Sequence, residues 1–182
     1  MREDIREFVI AGHGDLAKVQ TMLAAQPALL NLAHEWKSDD HETAIMGAAH
    51  VGNKPIAEYL VAEGAPLAIY TAAMLGRASD VRRVLRADPT SIRTAGAHAI
   101  SLLAHAAHCG DVDLCQFLFE NGARDGGAQA AAHAIGGGHT ELALWLINAT
   151  NPDSRWKNFR AKTLLDLAAE RGMEEVVKRL TG

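Results

Sequence analysis

The chain is poor in aromatic residues, at 5%, and has only two cysteines, Cys109 and Cys115. Two cysteines cannot staple 182 residues, so the fold must rest on buried apolar surface. An excess of basic charge is also missing. The net charge is −4 and the pI about 6.1, which argues against the cationic footprint of a nucleic-acid binder. No apolar run approaches the roughly 20 residues that span a bilayer. The segment Arg2-Glu3-Asp4-Ile5-Arg6-Glu7 is charged where a secretion signal would be greasy. The expectation is a soluble cytoplasmic protein that binds neither nucleic acid nor membrane. Catalytic signatures are absent as well. There is no G-x-S-x-G elbow and no G-x-x-x-x-G-K-[ST] loop, and Gly136-Gly137-Gly138 lacks the lysine and the preceding strand that a phosphate cradle needs.

What the chain does have is alanine and a repeat. Apolar residues make up 48%, and Ala, the best helix former, occurs 34 times. Six glycines, Gly14, Gly52, Gly76, Gly110, Gly138 and Gly172, are each followed by an apolar cluster at helical spacing. Gly52, for example, leads to Ile56, Ala57, Leu60 and Val61. Small residues such as Ala48-Ala49, Ala72-Ala73 and Ala106-Ala107 precede the glycines and let neighbouring helices approach closely. Each unit therefore reads as a short first helix, a tight turn and a longer second helix. The glycines are 38, 24, 34, 28 and 34 residues apart.

The motifs Thr43-Ala44-Ile45-Met46-Gly47-Ala48-Ala49 with Gly64-Ala65, Ser101 through Ala107 with Gly122-Ala123, and Thr163 through Ala169 resemble the ankyrin repeat, as does the pair Gly138-His139. The T-P-L-H tetrapeptide of that family is never intact here. The mean spacing, about 32 residues, is close to the family period of 33. The resemblance implies an all-α ankyrin solenoid of six helix-turn-helix units, at approximately 2–30, 42–66, 67–89, 100–124, 128–150 and 162–182, in one domain over 1–182. Thr43, Ser101 and Thr163 are placed to cap first helices, and Pro66 suits the first turn of the third unit. Short connectors before repeats three and five leave at most three short hairpin-like fingers, near 31–42, 88–100 and 150–162. Charged residues in the first and last helices are expected to close both ends of the array and make it complete.

The resemblance also implies a non-catalytic protein-protein interaction module, not an enzyme, with no cofactor and no metal. An unidentified protein partner would dock in a concave groove. The groove positions, just before the turn glycines, are His13, His50, Val51, Met74, Leu75, His108, Cys109, Gly136, Gly137, Glu170 and Arg171, joined by His105 and His133. Gly136 and Gly137 predict a bare dip that accepts a partner side chain. On the fingers, Trp36, Asp39, Asp40, Trp156 and Phe159 are candidate contacts. Their aromatics either fold back on the array or present anchors, since Trp is enriched at binding hot spots.

Two readings compete with this one. His105 and His108 are i, i+3 on one helix and His133 is on the next, so three imidazoles could converge on zinc in a metal-dependent protein. The connector His34-Glu35-Trp36-Lys37-Ser38-Asp39-Asp40-His41-Glu42 carries two histidines and four carboxylates, conceivable as a metal or acid–base site and otherwise a solvated finger. The histidine row also predicts that partner affinity changes near pH 6. Lastly, Met74 and Leu75 suggest self-association. A monomer is expected, with a homodimer as the alternative.

Overall fold

The computed structural model describes residues 2–182. Among them, twelve α-helices form six consecutive pairs. The pairs are α1 (Arg2–Gly12) with α2 (Leu16–Ala25), α3 (Ala44–Val51) with α4 (Lys54–Ala62), and α5 (Ile69–Met74) with α6 (Ala78–Ala87). They continue with α7 (Leu102–Ala106) and α8 (Val112–Glu120), α9 (Gly127–Gly137) and α10 (Thr140–Thr150), and α11 (Leu164–Glu170) and α12 (Glu174–Thr181). A 3-10 turn over Ala107–Cys109 extends α7. The first helices touch one another in chain order, from α1 to α11, and each second helix packs against its own first helix.

Local chemistry sets these boundaries. Thr43, Ser101 and Thr163 cap α3, α7 and α11, their hydroxyls accepting from Met46 N, Ala104 N and Asp166 N. Asp166 returns the bond to the Thr163 backbone, completing a capping box. Asp15, Asn53 and Asp111 cap the second helices α2, α4 and α8. Gly52 and Gly110 end first helices at φ of 75° and 79°, a left-handed turn that side chains disfavour. Pro66 lies outside the third unit's helix, not in its first turn. Ala68 is extended and caps α5, so the helix begins three residues after the proline.

Alanine does the work of close packing. Ala48, Ala49, Ala73, Ala106, Ala107 and Ala134 are fully buried. Adding methylenes to such a seam would typically cost about 1–3 kcal/mol. The core falls into two apolar groups that meet within α5. Met74 belongs to the group running from Phe8, while Ile69, Ala72 and Ala73 belong to the group reaching Val176.

The three long connectors, at each of which a finger was expected, differ from one another. In the first, β1 (His34–Lys37) pairs antiparallel with β2 (Asp40–Glu42) around Asp39. The second retains a single bridge, Ala95 to Ser101. The third forms no strand and is turned by the Asn158 side chain, which accepts from the backbone of Arg160 and Lys162. The short joints at 64–68 and 122–126 carry no strand.

Candidate functional site

Four polar side chains from separate parts of the chain meet beside α1 and α3. His13 follows the end of α1, Glu42 ends β2, His50 lies in the last turn of α3, and His98 sits in the second finger. Gly47 makes room for this meeting, because a Cβ there would stand 2.9 Å from the His13 ring. His98 has φ of 57°, as does Ala99, a left-handed pair without glycine. Such a conformation persists when surrounding contacts over-determine it. The Asp40 carboxylate supplies two of those contacts, accepting from His98 N at 3.0 Å and meeting His98 Nδ1 at 2.9 Å.

Glu42 is the centre. Its side chain is completely buried, an arrangement that carboxylates tolerate only with partners. The Trp36 indole N–H donates to Oε2 at 2.6 Å. Oε1 faces His50 Nδ1 at 2.9 Å, His13 Nε2 at 3.4 Å and His98 Nε2 at 3.6 Å. None of these approaches has hydrogen-bond geometry, so Oε1 and His50 Nδ1 are both buried without a hydrogen-bond partner. Burial pushes the Glu42 carboxyl up, but the His13 and His50 rings and the Trp36 indole outweigh it and hold it well below the usual carboxylate range. The Glu42 carboxylate in turn raises His13, against the opposing effect of burial. His98 lowers Asp40 through its side-chain hydrogen bond. The chosen donor atoms of His13, Glu42 and His50 lie within 4.8 Å of one another, close enough to share one metal ion.

The histidines favoured by sequence do not form such a group. His105 is fully buried, and its Nδ1 bonds the Ser101 carbonyl at 2.9 Å. His133 Nδ1 bonds the Ala104 carbonyl at 2.9 Å, and His108 Nε2 bonds the His50 carbonyl at 3.0 Å. His108 and His133 stack at 4.0 Å. Each therefore commits a ring nitrogen to the backbone, and no carboxylate joins them. Burial lowers all three, His105 to about 4 and His108 to about 3. His105 and His108 stay neutral at pH 6, so the charge change expected of this row does not come from those two.

The other expected contact residues divide by exposure. His105 and Met74 are fully buried and cannot touch a partner, which also removes Met74 from a dimer surface. Leu75, Cys109, His108 and His133 are half-buried, while Gly136, Gly137, Glu170 and Arg171 are exposed and Val51 is 42% exposed. The bare dip is narrower than composition suggested. Gly136 faces open space, but a Cβ on Gly137 would stand 2.5 Å from the His139 ring. Among the finger residues, Trp36 and Trp156 fold back, the first onto Glu42 and the second against the core. Asp39 is exposed at the first tip, and Phe159 is 91% exposed. Asp40 is occupied by His98.

Sequence reasoning missed the convergence. It singled out His13 and His50 by register and Glu42 within the charged connector, but His98 carries no motif. Only the bend of the second finger brings it to Asp40, 58 positions away in the chain.

Helical pairs stacked through their first helices, with reduced fingers at the long connectors, define a repeat solenoid. A family model described as Ankyrin repeats (3 copies) matches residues 102–182, so this part of the chain is similar to ankyrin-repeat proteins. Proteins of this family are generally interaction modules and typically non-catalytic. No curated protein matches the chain. Among the described residues, no helix is long and apolar enough to cross a membrane.

Proposed function

We propose that the chain is a non-catalytic module that binds a protein partner along the side chains preceding the turn glycines. The observation that carries this reading is a graded row of exposed and half-buried residues at the two positions before the turn glycines. Val51, Leu75, Gly136, Gly137, Glu170 and Arg171 run from apolar through bare to charged. Rigid helices hold that row, so docking would need little ordering. Exposed Phe159 on the third finger supplies a second candidate anchor, an aromatic one. The free cysteines Cys109 and Cys115 fit a reducing compartment, in keeping with a cytoplasmic protein.

The test is capture of a partner from the native cell by the full chain, repeated with Gly136→Arg and with Phe159→Ala. The Gly136 position has room for a Cβ, so the first variant should keep its helicity. A partner whose affinity falls by about tenfold or more in Gly136→Arg supports the groove. A partner held equally by both variants and the native chain sinks it.

A further inference from the structure

We propose that His13, His50, Glu42 and His98 form a binding site for a divalent ion of the zinc class, which ties the first two fingers to α1 and α3. The donor atoms are His13 Nε2, His50 Nδ1, His98 Nε2 and Glu42 Oε1. Zinc bonds of about 2.0–2.1 Å to nitrogen and oxygen set tetrahedral donor–donor edges of about 3.3 Å. The three edges meeting at Glu42 Oε1 measure 2.9, 3.4 and 3.6 Å. They bracket that value, and none has the direction of a hydrogen bond.

Three of the four atoms not assigned as donors are held elsewhere, as a metal site requires. His13 Nδ1 lies 2.9 Å from the Val9 carbonyl, so that nitrogen carries the proton and Nε2 keeps its lone pair for the ion. His98 Nδ1 meets Asp40 Oδ2 at 2.9 Å, a carboxylate–histidine pairing that orients Nε2 the same way. Trp36 occupies Glu42 Oε2 and leaves Oε1 unpaired. The rings of His13 and His50, and of His50 and His98, meet edge-on at 4.8 and 5.1 Å, fanned and not stacked.

Chemistry selects the ion. Three imidazoles and one carboxylate suit zinc and its transition-metal neighbours, while calcium and magnesium prefer oxygen ligands. His13, Glu42 and His50 supply three donors within 4.8 Å of one another, and His98 Nε2, 3.6 Å from Glu42 Oε1, is the fourth that the proposal adds to close the shell into a structural clamp. His98, with a side chain 36% exposed, is the rim ligand through which the ion enters.

The experiment uses the full chain, stripped by chelator and titrated with zinc alone, then with cobalt(II) as an optical probe. The native protein should bind one equivalent of zinc, melt at a higher temperature when loaded, and give the intense visible band of tetrahedral cobalt. His50→Gln and His98→Ala should each weaken binding by roughly tenfold or more, while His133→Leu binds as the native chain does. Circular dichroism identifies any variant that fails to fold, and exposed His98→Ala keeps the question answerable if His50→Gln does. No stoichiometric zinc, or cobalt bound without the tetrahedral band, overturns the proposal. So does equal affinity in His98→Ala, and any of these outcomes would leave the cluster as a carboxylate–imidazole ion pair.

Discussion

Two groups of histidines occupy different repeats, with His50 of the second and His108 of the fourth at the same register, yet their surroundings give them opposite roles. His105, His108 and His133 spend a ring nitrogen on a backbone carbonyl of the array, and burial lowers the pKa of each. His108 and His133 tie their repeats to earlier ones, while His105 bonds the start of its own helix. His13, His50 and His98 surround a buried carboxylate oxygen that nothing else satisfies. The difference teaches that the partner of the ring decides what a histidine does. A carbonyl makes it a strut, and a buried carboxylate makes it part of a charged site.

The sharpest way to break this contrast is Glu42→Ala. Removing one member of a buried charged group strands the others, a loss of about 3–5 kcal/mol. Urea unfolding of the metal-free protein at neutral pH should report it, and a loss below about 1 kcal/mol would place Glu42 among ordinary surface carboxylates.

The strut group makes an acid prediction. His105 titrates near 6.5 when unfolded and is pushed to about 4 by burial in the fold. Its contribution is therefore complete above pH 6.5 and is lost as pH falls toward 4, because the unfolded chain takes up the proton first. The loss from this one group is roughly 3 kcal/mol at pH 4. His105→Leu should flatten that limb of the stability curve. An unchanged limb would mean His105 is not buried neutral.

Smaller effects sharpen the comparison. His133→Leu gives up the bond to Ala104 and the stack on His108, and should cost about 1–2 kcal/mol in the same unfolding assay. His98→Ala, at the exposed rim of the other group, should cost less than about 1 kcal/mol without metal. Reversal of that order would place the rigid support in the finger and not between the helices.

Much of the fold was legible. Periodic apolar residues after each glycine, together with Thr43, Ser101 and Thr163, announced the helix pairs and several of their starts. The long connectors announced the fingers. Exposure was harder to read, because Met74 and Leu75 are adjacent on one short helix end, and only packing against α3 and α7 buries the first and leaves the second half-open. Trp36 and Phe159 look alike as aromatics in connectors, yet the indole N–H of Trp36 binds the buried Glu42 carboxylate and Phe159, which has no such donor, is 91% exposed.

The amino-acid order by itself determined that this chain is a repeat of small-residue helix pairs, because periodicity, capping and turn chemistry act within a few residues. Only the tertiary structure decided which histidines share a carboxylate. His13, Glu42, His50 and His98 are brought together by the stacking of two repeats and the bend of two fingers, contacts whose geometry no local pattern encodes.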